Sequence, residues 1–299
     1  MRDLSTKMEE RLSYLILVLP ALLLYLFVMA FPTVFSVVLS LTNYRGGRVF
    51  GNPNFGIVGF ASYLEVFKDS YFYIALKNNL YIVLISVFGQ IPLGFILAYI
   101  LSRGLIKGTD FFQTMIYLPN VISTVVIGIL FSRLFLGSNS LYLEIQRFFN
   151  PIAEFIPGKN PMLPVLLVIL WMYTGFYVII FLANLQKIDT SLIEASKIDG
   201  ANEMQTLRYI ILPALSGVIV TTAILAIAGS LKSFDLIFVM TGGGPARRTS
   251  VLSLYMYDKA FRGAPNYPVA NAISTIMVMI SFILIGITRG LEKRFSSEE

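Results

Sequence analysis

The sequence predicts an all-α membrane protein with six transmembrane helices, and three observations carry that prediction. Its 299 residues are 56% hydrophobic and only 13% charged, with a mean hydropathy of +0.75. A soluble domain carries roughly a quarter charged residues, and one core of this size could not hide so much apolar surface. Six stretches are long and apolar enough to cross a bilayer, which takes about 20 residues as a helix. Between them lie loops rich in Gly, Pro and Asn, with no alternating ten-residue segments of the kind a membrane barrel needs.

The predicted spans run 12–41, 72–101, 111–136, 162–185, 214–240 and 269–288. The first begins after Arg2, Lys7 and Arg11, as a signal peptide would. Its apolar stretch is about twice a signal peptide's hydrophobic region, and no small-residue cleavage site follows, so it reads as a retained anchor. Pro20 and Pro32 are expected to kink it. The expected organisation is a tail over 1–13, a six-span domain over 14–290 with a loop at 186–213, and a tail over 291–299. An even number of spans puts both termini on one side. Placing them in the cytoplasm gathers Arg103, Lys107, Lys187, Lys197, Arg208 and Arg289 into short inner segments. Arg45, Lys68, Arg147, Lys159, Arg247 and Arg262 then fall in longer outer ones, a mild positive-inside bias.

Composition also excludes chemistry. With no Cys and no His there are no disulfides, no thiol catalysis, no Cys/His metal site and no imidazole proton shuttle. The net charge of +6 is scattered through loops without interleaved aromatics, which fits anionic lipid headgroups rather than nucleic acid. No phosphate-binding loop with its Lys is present; Gly242-Gly-Gly-Pro245 leaves a helix instead of opening one. Nor do the spans show the catalytic dyad an intramembrane enzyme would need.

The loop at 186–213 differs from the rest in being polar and helix-prone. Ser191 followed by Glu194 reads as a capping box that starts a short helix ending near Asp199, with Gly200 as its left-handed stop. A second helix over about 201–211 leads to Pro213. Leu192, Ala195, Ser196 and Asp199 are expected to share a face that another protein can approach closely. From chemistry alone, a docking face and a hairpin lying in the lipid headgroups are equally open.

Here the sequence resembles a known family, the membrane subunits of binding-protein-dependent ABC importers. Their hallmark is Glu-Ala-Ala, three residues, Gly, nine residues, then Ile-x-Leu-Pro. This chain has Glu194-Ala195-Ser196, Gly200, Ile210 and Leu212-Pro213 at that spacing, with Ser196 for the second Ala, and Asp199 and Ala201 beside the Gly. Phe234-Asp-Leu-Ile-Phe-Val-Met-Thr-Gly-Gly-Gly-Pro245, Ala75-Leu-Lys-Asn-Asn79 and Tyr117-Leu-Pro119 are similar to the sugar-transporting, maltose-permease-like branch.

The resemblance implies the maltose-type (type I) importer fold in a bacterial or archaeal cytoplasmic membrane. Ser191 and Glu194–Ala201 would dock on a partner ATPase, with both termini cytoplasmic. The implied partners are a second homologous permease, a dimer of ATP-binding subunits that holds the ATP-Mg, an extracytoplasmic solute-binding protein, and a sugar or oligosaccharide. The chain itself would hold no cofactor and catalyse nothing.

A sugar needs aromatic platforms and a few hydrogen-bonding groups. Trp171, Met172 and Tyr173 offer them on one span, and Gly229, Ser230, Lys232, Ser233 and Asp235 on another; both stretches match pocket-lining positions of the maltose-type relative. Lys232 and Asp235, one turn apart, could pair with each other. Gln90, Pro92 and Gly94 read as kink and packing. Two alternatives remain: import of another polar solute such as glycerol phosphate, which clustered basic residues at the pocket would favour, and ion-coupled secondary transport, for which the spans offer almost no ionisable residues.

Overall fold

The computed structural model describes residues 14, 16–47, 55–104, 107–136 and 161–296. Among them the chain is helical, and its only β feature is an isolated bridge between Thr42 and Ile57. The helices are α1 (Ile16–Ser40), α2 (Ala61–Lys68), α3 (Ser70–Ser102), α4 (Thr109–Val121), α5 (Thr124–Leu136), α6 (Met162–Leu185), α7 (Thr190–Ile198), α8 (Glu203–Ala214), α9 (Ser216–Leu231), α10 (Asp235–Met240), α11 (Leu252–Phe261) and α12 (Tyr267–Ser296). Four are long and apolar enough to cross a membrane alone: α1, α3, α6 and α12 through Gly290. Two bent pairs, α4–α5 and α8–α9, are apolar enough together, and counting each as one span gives six. The loop at 137–160, the tail over 1–13 and the side chains beyond Gly290 lie outside the described residues, and with them Arg147 and Lys159.

Three spans are modified by proline in the same way. The segments Leu26–Ala30, Ser86–Gln90 and Leu207–Ile211 are π-helical, and each ends two residues before a proline: Pro32, Pro92 and Pro213. A proline ring collides with the carbonyl four residues back. Widening the turn by one residue moves that carbonyl aside. The bonds Phe31 N–H to Leu26 O, Ile91 N–H to Ser86 O and Leu212 N–H to Leu207 O are the result.

Two predicted spans are corrected. The stretch 111–136 is not one helix: α4 and α5 meet at 90° across Ile122 and Ser123. The stretch 214–240 leaves helix twice. A 66° bend at Leu215 separates α8 from α9, and Lys232–Phe234 are non-helical between α9 and α10. Hydropathy missed both because it averages over about 20 residues, and each break is only one to three residues long.

The chain divides into two compact units. One holds the described residues up to Lys68 with Met256–Ile276. Here Ser40 bonds the Tyr63 hydroxyl at 2.7 Å, and Ser36 donates to Asn271 at 2.6 Å. Most of α1 shows apolar side chains outward, as a lipid-facing helix does.

The other unit, Asp69–Tyr255 with Met277 onward, is built around α6. The second half of α3 packs along α6 at Gly94, where an added Cβ would come within 2.6 Å of Tyr177 Cβ. α4 crosses α6 at Gly175, where a Cβ would run into the Ile116 carbonyl. Small residues at such crossings let helix backbones touch, the usual source of attraction between helices in lipid. Ile91, Ala98, Val178, Phe181, Leu182, Ile211 and Leu215 fill the core between them.

Candidate functional site

Two places combine unusual geometry with polar chemistry: a cavity at the break in the fifth span, and the hairpin α7–α8.

The cavity holds about 400 Å³ and lies among α3, α4, α6 and α9. The break is what opens it. After Leu231 the backbone leaves helix, so Lys232, Ser233 and Phe234 line the space with Gly229, Ser230 and Asp235. A Cβ on Gly229 would meet nothing within 4 Å. From α6 come Tyr173, Phe176 and Tyr177, and from α3 and α4 come Ser86, Gln90 and Asn120. The lining therefore mixes aromatic rings with hydroxyl and amide groups, one cation and one carboxylate.

Of the residues expected on the solute path, Tyr173, Gly229, Ser230, Lys232, Ser233 and Asp235 meet at this cavity. Trp171 and Met172 do not line it. Trp171 is 48% exposed and sets its ring edge-on to Phe131 at 5.4 Å between centroids, while Met172, 2% exposed, is core packing. Successive residues on a helix point about 100° apart, so three neighbours cannot all face one cavity. Among the described residues no ion pair joins Lys232 to Asp235. The one-turn spacing that would have paired them presumed a continuous helix, and the helix stops between them.

Gln90, expected only to pack, also lines the cavity, with its amide donated to the Ile169 carbonyl at 2.7 Å. Asn120 and Tyr177 were not foreseen at all. A glutamine and an asparagine inside otherwise apolar spans were the signals that could have found two of these three.

The hairpin begins two residues earlier than its sequence suggests. Asp189, not Ser191, is the N-cap: its carboxylate accepts the Ser191 N–H at 2.9 Å, and α7 starts at Thr190. An aspartate caps at least as well as serine and adds a negative charge at the positive end of the helix. Glu194 is thereby moved to the second turn, exposed and free of any capping role. The Ser191 N–H, and then its hydroxyl, hold the Asp189 carboxyl below the ordinary aspartate range.

The reciprocal capping box sits instead at α8. Asn202 accepts the Gln205 N–H at 2.9 Å, and Gln205 accepts the Asn202 N–H at 2.8 Å. Gly200, at φ +82°, makes the left-handed turn between the two helices.

The expected docking face is also corrected. Ser196 is 7% exposed and turns inward to bond Thr206 at 3.1 Å, closing the hairpin. Of the residues expected to dock, Ser191, Glu194, Ala195 and Asp199 face outward, as do Leu192, Lys197 and Ile198, with Ile198 86% exposed. Met204 and Tyr209 on α8 are exposed as well. Glu203 fastens the hairpin to the end of α3, accepting from Arg103 at 3.2 Å and from the Tyr99 hydroxyl at 3.0 Å, with Lys197 at 3.8 Å.

Comparison with known proteins places this arrangement. A family model described as "Binding-protein-dependent transport system inner membrane component" matches residues 90–297. The lactose transport system permease protein of Rhizobium radiobacter is 33% identical over 272 residues, covering 89% of each chain. The multiple sugar-binding transport system permease protein of Streptococcus mutans is 32% identical over 283 residues, covering 94% of each. A solved bacterial ABC transporter involved in the import of the acidic polysaccharide alginate shares the fold. Its TM-score is 0.78 at 22% identity, over 98% of this chain and 99% of that one.

Proposed function

The chain belongs to the family of binding-protein-dependent transport system inner membrane components, and from that premise we propose that it is a permease subunit of an ATP-driven sugar importer. Each half of the transport cycle has a place on the chain. The cavity at Lys232–Phe234 forms this subunit's share of the solute path. The hairpin α7–α8 takes the ATPase, which binds ATP-Mg and does the hydrolysis. Both termini and the hairpin face the cytoplasm. A second, homologous permease completes the path, and an extracytoplasmic binding protein delivers a sugar or oligosaccharide.

The observation that carries this reading is the exposed apolar surface of the hairpin, Leu192 and Ile198 above all. Apolar side chains at the tip of a polar, well-capped loop are expected where a partner protein covers them. Tyr173 lies twelve residues before the end of α6, so the cavity and the hairpin are separated by about 18 Å of rigid helix. Movement of the docked hairpin, fastened to α3 through Glu203 and Arg103, is thereby passed to the helices that wall the cavity.

Two features support a sugar over its rivals. The permeases to which the chain is similar across its length are named for lactose and for multiple sugars. The cavity presents tyrosines, amides and hydroxyls, with Lys232 opposed by Asp235, so it lacks the basic cluster a phosphorylated solute would require.

Purification from native membranes in mild detergent is expected to bring down a second six-span subunit and an ATPase with a phosphate-binding loop. Replacing Ile198 by Glu is expected to weaken that association at least about tenfold, since it buries an unpaired charge in the interface. Recovery of the chain alone, even after cross-linking, would overturn the proposal.

A further inference from the structure

The break that walls the cavity is held from far along the chain. When a helix stops, its last carbonyls lose their partners, and within a bilayer no water replaces them. Irregular backbone within a span survives where protein groups or a water-filled cavity satisfy it. At Lys232–Phe234 the Ser233 N–H turns back to the Ser230 carbonyl at 3.3 Å, and two remote side chains add their own bonds. Asn79 donates its amide to the Ser230 carbonyl at 2.9 Å and accepts the Leu252 N–H at 2.7 Å. Ser253 donates its hydroxyl to the Ser233 carbonyl at 2.5 Å. Asn79 is 0% exposed, so neither of its bonds has water as a substitute. The neighbouring Asn78 donates to the Arg248 and Ser250 carbonyls, both at 2.8 Å, so one turn of α3 secures the whole approach to α11.

Neither Asn79 nor Ser253 lines the cavity; they reach it through the backbone of Ser230 and Ser233, which do. Both tie the same two things together. Leu252 and Ser253 are the first two residues of α11, while Ser230 lies just before the gap in the fifth span and Ser233 within it. An amide is suited to the Asn79 position because the site asks for one donor and one acceptor at once. Aspartate could not donate, and leucine would leave the Leu252 N–H without a partner.

We propose that Asn79 and Ser253 are positioning residues that lock the start of α11 to the cavity wall, fixing the shape of Lys232–Phe234 and passing any displacement of α11 directly to Lys232. The role in solute selection rests on the importer reading above; the mechanical lock does not, and its test needs no transport.

The chain contains no cysteine, so a single thiol placed on it is the only one this chain contributes, and labelling is read on the chain itself after it is separated from its partners. The experiment places Lys232→Cys in the full complex in native membranes and follows its rate of reaction with a small charged methanethiosulfonate. A second chain with Ile198→Cys, on the exposed hairpin, serves as the control. Adding Ser253→Ala is expected to change the Lys232→Cys rate by about fivefold, the factor to which one hydrogen bond's net worth corresponds. Ser253→Thr, which keeps the hydroxyl, is expected to restore it, and the Ile198→Cys rate is expected to stay constant throughout.

An unchanged rate with Ser253→Ala would overturn the proposal, as would a threonine variant as altered as the alanine. A parallel change at Ile198→Cys would also overturn it, since that marks general loosening. So would a Lys232→Cys that takes no reagent in the otherwise native chain. Import is followed in the complex with its native Lys232: if that complex imports no sugar while Lys232→Cys labels as expected, the importer reading is refuted and the lock stands.

Discussion

The turn at Asp199–Asn202 and the gap at Lys232–Phe234 set the same problem and solve it differently. At both, a helix ends and another begins within four residues, leaving carbonyls and N–H groups without helical partners. In the hairpin the answers are local. Asp189, Asn202 and Gln205 cap helices two or three residues away, and Gly200 supplies the left-handed turn. In the span the Lys232 and Ser233 N–H groups turn back to Ala228 and Ser230, and the added partners come from Asn79, more than a hundred residues upstream, and from Ser253, twenty residues downstream. The environments explain the difference. The hairpin is exposed, so water can complete whatever the side chains leave undone. The gap lines a cavity on one side, but Asn79 and Ser230 are buried, so the bond between them depends on a partner fixed in place.

The contrast is sharpest where one partner is deleted. Asn79→Leu removes a donor and an acceptor from a buried site and strands the Leu252 N–H, and is expected to destabilise the chain by about 1–3 kcal/mol. Thermal unfolding of the purified complex measures it, and a change indistinguishable from zero would erase the distinction drawn here. Asn202→Ala removes a cap of comparable geometry in the exposed hairpin, with an expected loss of about 1 kcal/mol confined to α8. Hydrogen exchange should quicken at 203–206 and stay unchanged at 228–238. If it spreads into the span, the hairpin is not the locally satisfied element described here.

The smallest effect concerns acid. The Asp189 carboxyl is held below its ordinary value by Ser191, so its folded form favours the charged state. Its contribution is complete above the ordinary aspartate pKa of about 3.9 and is lost only as pH falls through the lower folded value. Exchange in the first turn of α7 is therefore expected to be flat from neutral pH down to about 4 and to quicken below it, once corrected for intrinsic rates. Asp189→Asn, which keeps an acceptor but no charge, should abolish that acid limb. A midpoint at or above the ordinary value would contradict the capping geometry.

Much of this was readable from residue order. The spans followed from hydropathy, and the hairpin followed from Gly200 and the polar stretch around it. The spacing from Glu194 to Pro213 led to the family that residues 90–297 match. What misled was competition between equivalent local signals: Asp189 and Ser191 are both good caps, and only the extended backbone at Asp189 decides between them. Ser196 likewise looked like part of an outer face until Thr206 drew it inward.

By itself, then, the sequence determined a helical membrane chain, its long apolar helices and the place of the polar hairpin that follows Leu185, because those depend on hydropathy and on contacts within a turn or two. Only the tertiary structure decided that the third and fifth spans are interrupted, that Trp171 and Met172 turn away from the cavity while Gln90, Asn120 and Tyr177 turn toward it, and that Asn79 and Ser253 hold the gap. A break in a helix within lipid is permitted only where distant groups or a water-filled cavity satisfy its backbone. Nothing adjacent in the chain records whether such groups will arrive.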